Sequence, residues 1–293
     1  ARKEISYMRT RAITAIVAFI ILLPVLYFSG TFVLPVAMAI LAMVGSGEML
    51  HCVGTLKRYT FSVPSIIVAA SLPLIMYFAD TWIYTRLDIA MLLIAIYILI
   101  AFAVTVIEHK HIKIEDMALS MIMVLYIGFG FSSIVLIRDT RGGFADGKYL
   151  YMLVFIGAWL TDIFAYFCGR AFGKHKLIPE VSPKKTVEGS IGGIVFCILG
   201  TMLYGFVYSL IFKSEVDYIL LAVCGAVSSV FSQIGDLIMS MVKRKYNIKD
   251  YGKVFPGHGG VLDRFDSILA VSIALLVTLS VFQAFTNAYG PIR

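Results

Sequence analysis

The chain alternates long apolar runs with short polar segments from one end to the other. A helix needs about 20 mostly apolar residues to cross the hydrocarbon core of a bilayer. The first two runs are separated only by the short turn Ser29-Gly30-Thr31. The pattern predicts an all-α, polytopic integral membrane protein with about nine transmembrane helices, at residues 12–29, 31–48, 61–79, 87–107, 116–137, 149–169, 190–212, 218–241 and 264–286.

The composition favours a membrane protein over a soluble one. Hydrophobic residues make up 60% of the chain and charged residues only 15%, whereas soluble proteins carry about 25% charged residues. In a membrane protein the net charge of +7 indicates cytoplasmic loops rather than nucleic-acid binding. The four cysteines occur singly and without CxxC spacing, so we expect small core residues, not a disulfide framework or a zinc site.

The loop charges predict the orientation of the chain. With nine spans, 19 of the 25 Lys and Arg residues fall on the side that holds the N-terminus and the loops after the even-numbered spans. Loops rich in Lys and Arg remain in the cytoplasm. We therefore expect a protein of the bacterial inner (cytoplasmic) membrane, with the N-terminus and the active site in the cytoplasm and the C-terminus outside. Residues 1–148 would form the first five helices, and residues 149–293 would form a catalytic region with the last four.

Polar residues are concentrated in the stretch KDYGKVFPGHGGVLDRFDS, residues 249–267. Its glycines permit positive φ angles and let backbone N–H groups approach an anion, and they lead into a helix N-terminus, which itself favours anions. Asp263 and Asp266 lie at this helix N-terminus. Acids at a helix start also interact favourably with the helix dipole, which is an ordinary structural role. The combination of glycines, His258, basic residues and carboxylates favours a site for a polyphosphate with a divalent cation.

Asp236 lies near the end of the eighth apolar run, where an ionised carboxylate is costly without a partner. Ser240 and Lys243 follow it at helical spacing, so the three share one helix face. Two interpretations stay open for Asp236. It is either an interfacial carboxylate that extends to the membrane surface or pairs with Lys243, or a metal ligand or proton acceptor that faces a water-filled cavity. Asp162, a second acid inside an apolar run, favours a polar cavity.

The loop after the sixth span contains SPKKTVEGS. Ser182 before Pro183 suits a helix or turn start, and Lys184 and Lys185 could bind phosphate as point charges. The alternative is that the two lysines only set the orientation of the loop. Glu48, at the end of the second span, is a weaker candidate than Asp236, and the alternative is that it only flanks the span.

The stretch SMVKRKYNIKDYGKVFPGHGGVLDRFD, residues 240–266, closely resembles the signature of the phosphatidate cytidylyltransferases, the CDP-diacylglycerol synthases. That signature runs from Ser through Lys-Arg, Lys-Asp and His-Gly-Gly to Asp-Arg-x-Asp. QIGDLIMS and SPKKTVEGSIGG are also similar to family segments, so the resemblance covers about residues 155–275. The signature positions match at Ser240, Lys243, Arg244, Lys249, Asp250, Gly252, Pro256, His258, Gly259, Gly260, Asp263, Arg264 and Asp266.

The resemblance implies a helical, dimeric membrane enzyme of phospholipid biosynthesis that converts CTP and phosphatidate into CDP-diacylglycerol and pyrophosphate. It implies Mg²⁺ with Asp236 and Asp263 as ligands, and it allows a second cation, K⁺ or another Mg²⁺. CTP, phosphatidate, the bilayer and a second copy of the chain would be the partners, without nucleic acid. The implied catalytic residues are Asp236, Asp263, Lys243, Lys249, His258 and Asp266. The implied substrate-binding residues are Ser182, Lys184, Lys185, Thr186, Ser240, Arg244, Gly259, Gly260 and Arg264.

Two alternatives differ from this reaction. A CTP-dependent lipid-alcohol kinase would transfer the γ phosphate of the nucleotide. An ion-coupled transporter would use Asp162 and Asp236 as a coupling pair and would need neither a basic glycine-rich loop nor CTP. The complete signature from Lys243 to Asp266 favours nucleotidyl transfer over both.

Overall fold

The computed structural model describes residues 14, 17, 20–79, 85–111, 113–140 and 147–289. Eight helical segments within these residues are long and apolar enough to cross a membrane. They correspond to the second through ninth predicted spans, which confirms a polytopic all-α membrane protein. The first predicted span, 12–29, lies partly outside the described residues, and residues 20–27 of it are helical.

The described helices follow one another with short connections. In chain order they are α1 (Val33–Val53), α2 (Tyr59–Phe78), α3 (Arg86–Ile107), α4 (Ile114–Asp139), α5 (Gly147–Leu150), α6 (Met152–Phe172), α7 (Val187–Phe212), α8 (Tyr218–Lys245) and α9 (Leu262–Tyr289). The short α5 and α6 together make one candidate span.

Several helix ends are fixed by local chemistry. Thr85 precedes α3 and forms a capping box with Asp88, in which each side chain accepts from the other residue's backbone N–H. Gly54 ends α1 in the left-handed region, with φ of 90°, as is common after helices. At these two ends the sequence supplies the cap that the helix requires.

The connection between α6 and α7 forms a β-hairpin. Strands β1 (Lys176–Ile178) and β2 (Ser182–Thr186) pair antiparallel, with Lys176 opposite Thr186 and Ile178 opposite Ser182. The expected helix or turn start at Ser182-Pro183 is therefore wrong, because β2 is extended there and α7 begins only at Val187. A short strand of three residues has too few positions to show the alternation that identifies longer strands.

The chain divides into two compact units, each made of two segments. Unit 1 comprises Ala1–Val135 and Lys245–Phe265, and unit 2 comprises Leu136–Arg244 and Asp266–Arg293. The segment between α8 and α9, residues 246–261, is called the glycine loop here and lies wholly in unit 1. The predicted functional division into residues 1–148 and 149–293 stays a prediction.

Contacts inside each unit agree with the predicted sidedness of the loops. In unit 1 the Tyr246 hydroxyl, just after α8, donates to Asp116 Oδ1 at the start of α4, over 2.5 Å. In unit 2 the Lys185 ammonium, between α6 and α7, contacts Asp236 near the end of α8. Both contacts join segments predicted to lie on the same membrane face. Which face is cytoplasmic stays a prediction.

Candidate active site

The glycine loop is held in a turn that only glycine adopts easily. Phe255 N–H donates to Gly259 O over 2.9 Å and Gly259 N–H donates back to Phe255 O over 3.1 Å. Gly257 and Gly259 have φ angles of 76° and 91°, where a side chain is strained. Two of the predicted phosphate-site glycines are therefore required by the backbone itself.

The backbone donors at the end of the loop point to carboxylates of the protein. Asp263 Oδ2 accepts from Tyr251 N–H over 2.8 Å and from Gly260 N–H over 3.0 Å. The N–H groups of Val261 and Leu262 both donate to Glu48, over 3.0 and 2.9 Å. The backbone N–H groups at the start of α9 thus bind carboxylates of the protein itself, and the binding of a polyphosphate there stays a prediction. The predicted contact of Gly259 and Gly260 with substrate stays a prediction.

Glu48 is the residue that sequence reasoning undervalued. The structure places it at the end of α1 with only 8% of its surface exposed and both carboxylate oxygens bound to the start of α9. One signal was present, because an acid inside an apolar run is costly unless it has partners. The same argument applies to Asp236 and Asp162, which lie in later apolar runs.

The basic residues and the histidine of the loop lie near its surface. Arg264 is exposed, and its Nε donates to His258 O over 2.8 Å. His258 is half-buried, and its Nδ1 is shielded from solvent without a hydrogen-bond partner within the described part of the chain. Lys249 is exposed. The side chains of Arg264 and Lys249 are therefore accessible to an anion in solution, whereas His258 Nδ1 is not.

In unit 2, Asp236 is bound by a cation and a hydroxyl. Its Oδ2 lies 2.5 Å from Lys185 Nζ, and its Oδ1 accepts from Ser240 Oγ over 3.2 Å. The helix spacing predicted the contact with Ser240. The ion pair with Lys185 was not predicted, because the two residues are far apart in sequence and a strand brings the lysine to the helix.

Strand β2 separates the two neighbouring lysines. Successive side chains of a strand point to opposite faces, so Lys185 faces Asp236 while Lys184 is exposed. Thr186 is buried and caps α7, because its Oγ1 accepts from Gly189 N–H over 3.2 Å. Ser182 is half-buried opposite Ile178. Only Lys185 of the pair is positioned against a predicted catalytic residue.

Further carboxylates surround this ion pair. Asp162 of α6 interacts electrostatically with Asp236, Asp266 and Lys185. Helices α8 and α9 approach closely at Gly235, where an added Cβ would lie 2.7 Å from Asp266 O. Asp162 is therefore near two further carboxylates and Lys185, and the predicted polar cavity stays a prediction. Asp266 Oδ1 also accepts from Ser267 N–H over 2.8 Å.

The carboxylates of Asp162, Asp236 and Asp266 are chemically suited to a hard divalent cation such as Mg²⁺. Carboxylate oxygens are the ligands that Mg²⁺ prefers. The contact between the Lys185 ammonium and Asp236 shows that this carboxylate accommodates a positive charge. No group of three or more His, Cys, Asp or Glu is arranged to hold a metal among the described residues. Asp236 belongs to unit 2 and Asp263 to unit 1, so their predicted pairing at one metal stays a prediction.

Lys243 is half-buried and Arg244 exposed, near the end of α8.

A comparison with protein families decides the classification. The model of the Cytidylyltransferase family matches residues 9–282, most of the chain. The chain belongs to the cytidylyltransferase family. The resemblance read from residues 155–275 is therefore confirmed, and the family match extends well beyond that region.

Three curated relatives of this family member are named phosphatidate cytidylyltransferase. Proteins named phosphatidate cytidylyltransferase from Staphylococcus aureus (strain COL) and Staphylococcus haemolyticus are 38% and 35% identical over 274 residues, 93% of this chain and 99% of each relative. A Bacillus subtilis protein of the same name is 48% identical over 126 residues, 43% of this chain and 45% of the relative. The similarity to the two staphylococcal relatives therefore includes residues of both units.

Proposed function

We propose that this chain transfers the cytidylyl group of CTP to phosphatidate and forms CDP-diacylglycerol and pyrophosphate. The observation that carries the proposal is the match to relatives named phosphatidate cytidylyltransferase over 99% of their length. A match of that extent includes every residue from Ser182 to Asp266 to which a role was assigned. The reaction makes the chain a nucleotidyltransferase of lipid metabolism.

The reaction needs no nucleophile from the protein. An oxygen of the phosphatidate phosphate attacks the α phosphorus of CTP and forms a new phosphorus–oxygen bond. The bond from the α phosphorus to the oxygen that bridges to the β phosphorus breaks, and pyrophosphate leaves with that electron pair. Charge repulsion between two polyanions is the main obstacle, so positive groups near the phosphates are the contribution required of the protein.

The described residues can supply that contribution. Lys249 and Arg264 of unit 1 and Lys184 of unit 2 present exposed charges, which suit binding of the outer phosphates. Lys185 stands at Asp236 and can exchange this contact for a phosphate oxygen when substrate arrives. We also propose catalytic roles for Lys243 and His258. The further proposed substrate-binding residues are Ser182, Thr186, Ser240 and Arg244.

Mg²⁺ is the proposed cofactor, with Asp236 and Asp263 as its ligands and with K⁺ or another Mg²⁺ as a second cation. When bound, the metal neutralises phosphate charge and stabilises the leaving pyrophosphate. The pairing of the two carboxylates rests on the sequence signature. In the structure Asp236 is compensated by Lys185, and Asp263 accepts two backbone N–H groups.

The chain is an integral membrane protein with eight candidate spans within the described residues. We further propose that it is a homodimer in the bacterial inner membrane, with its N-terminus and active site in the cytoplasm. Of the 25 Lys and Arg residues, 19 fall on the side predicted to be cytoplasmic, which supports the orientation. A site at the cytoplasmic face admits a water-soluble nucleotide from one side and a lipid phosphate from the other.

The test follows each phosphate of CTP. Purified protein in mixed micelles receives phosphatidate, Mg²⁺ and CTP labelled at one phosphate at a time. The α label should enter a lipid, and the β and γ labels should leave together as pyrophosphate. Transfer of the γ label with release of CDP would instead identify a lipid kinase, and consumption of no CTP by folded protein would fit a transporter.

A further inference from the structure

Glu48 is a buried acid of α1 that binds the start of a helix more than 200 residues away in sequence. Its Oε1 accepts from Val261 N–H over 3.0 Å and its Oε2 from Leu262 N–H over 2.9 Å, across 213 and 214 residues. The first N–H groups of a helix lack partners within that helix. Glu48 therefore caps α9 from outside and joins α1 to the glycine loop.

Two glycines of the loop leave the space that this carboxylate fills. A Cβ added at Gly252 or at Gly260 would collide with Glu48 Oε1. Gly252 does not have a positive φ angle within the described backbone, so its lack of a side chain is explained by the carboxylate and not by the turn. The loop is thus folded around Glu48.

The same loop holds the predicted metal ligand. Asp263 Oδ2 accepts from Tyr251 N–H and Gly260 N–H, and these residues adjoin Gly252 and Val261, which touch Glu48. The carboxylates of Glu48 and Asp263 also repel each other electrostatically. Four backbone N–H groups therefore hold two like charges in place, and moving the loop at Glu48 moves the donors that orient Asp263.

We infer that Glu48 is a positioning residue for cytidylyl transfer, because it anchors the glycine loop to α1 and so fixes the orientation of Asp263. The inference rests on the proposed function only for the role of Asp263. Residues that orient a metal ligand typically change metal affinity or activity by about 10- to 100-fold when they are replaced. We expect an effect in that range on the Mg²⁺ requirement.

Two replacements of Glu48 separate the effect of its charge from the effect of its side-chain length. Glu48→Gln keeps the size but places an amide NH₂ where an oxygen accepts a backbone N–H, which leaves a donor facing a donor. Glu48→Asp keeps the charge but shortens the side chain by one methylene. Glu108→Gln is the matched control, because Glu108 also lies at a helix end of unit 1 but contacts Thr60 and Arg58.

The first readout is hydrogen–deuterium exchange of peptides that cover residues 251–263, measured by mass spectrometry in detergent. Glu48→Gln should speed exchange there, Glu48→Asp should do so less, and Glu108→Gln should leave it unchanged. The second readout is the Mg²⁺ concentration that gives half-maximal activity. It should rise about 10- to 100-fold in Glu48→Gln and stay at the wild-type value in the control.

Gly252→Ala provides a test that does not change Glu48 itself. Its added Cβ should reproduce the exchange and Mg²⁺ defects, and it should cost much less in a Glu48→Ala background, where the space is empty. Such non-additivity measures the contact directly. If Glu48→Gln fails to fold, the Gly252→Ala variant and its combination with Glu48→Ala still test whether Glu48 anchors the glycine loop.

The outcomes distinguish the inference from the proposed function. Unchanged exchange at residues 251–263 in folded Glu48→Gln would overturn the anchoring. Faster exchange with a normal Mg²⁺ requirement, or activity that only follows the amount of folded protein, would overturn the positioning role. If the wild type fails the phosphate-label test, the proposed function is wrong, while the exchange data still decide the anchoring.

Discussion

Lys185→Gln removes the ammonium group that contacts Asp236 and leaves the neighbouring charge of Lys184 in place. The sequence leaves phosphate binding and loop orientation open as roles of both lysines, whereas the strand directs only Lys185 toward Asp236, with Nζ 2.5 Å from Oδ2. Lys184→Gln is the comparison variant: it makes the same chemical change one residue away, on the opposite face of β2, where an exposed charge suits only a weak contact with an outer phosphate. The prediction is that the two variants differ.

The magnitude follows from the exposure of the pair. Hydrogen bonds to charged groups contribute about 1.5–3 kcal/mol. The two side chains are 25% and 28% exposed, and solvent weakens such pairs, so we expect the lower end of that range. In the proposed reaction Lys185 exchanges Asp236 for a phosphate oxygen, and the loss of a bond of this strength should lower kcat/KM about tenfold, because about 1.4 kcal/mol corresponds to a factor of ten in rate. Lys184→Gln should change it by less than about threefold, as expected for an exposed charge.

Steady-state rates in mixed micelles measure the difference, with CTP and phosphatidate varied separately. Thermal unfolding in detergent is followed for each variant, so that a loss of folded protein is not counted as a loss of rate. Equal effects of the two variants would refute the reasoning from strand alternation. A Lys185→Gln enzyme with normal kcat/KM would show that the contact with Asp236 has no part in the reaction.

The remaining predictions concern the carboxylates, the packing and the topology. Asp236→Asn and Asp263→Asn should each lower activity by orders of magnitude while the protein stays folded, and near-normal turnover at saturating Mg²⁺ would contradict their role as ligands. Gly235→Ala should lower the free energy of unfolding by about 1–3 kcal/mol, because its Cβ would overpack the contact with α9; unchanged thermal unfolding in detergent would contradict this. A cysteine at Lys213 should react with an impermeant thiol reagent from outside intact cells and one at Lys249 should not, and the reverse labelling would overturn the orientation.

The helices were predictable because the bilayer imposes a simple requirement on the sequence. Any segment that crosses it must be apolar over about 20 residues, so hydropathy alone identified the eight described spans. The hairpin between α6 and α7 was not predictable in this way, since Lys176–Ile178 is too short to show a period. The ion pair of Lys185 depends on that hairpin and was missed with it.

The site was predictable where its residues are neighbours in the chain. The glycines, His258 and Asp263 stand together in one signature, and helix spacing joined Asp236 to Ser240. Glu48 lies 213 residues from Val261, and nothing local to either residue indicates the contact. Contacts between distant segments depend on how helices pack, which hydropathy does not specify.

The most direct measurement of the central claim identifies the bond that forms. Phosphatidate with heavy oxygen in its phosphate group is converted in the presence of CTP and Mg²⁺, and the lipid product is examined by phosphorus NMR and mass spectrometry. Attack on the α phosphorus predicts heavy oxygen in the bridge of a lipid diphosphate that carries cytidine, with unlabelled pyrophosphate released. Heavy oxygen in the bridge of a lipid diphosphate without cytidine, with CDP released, would contradict cytidylyl transfer.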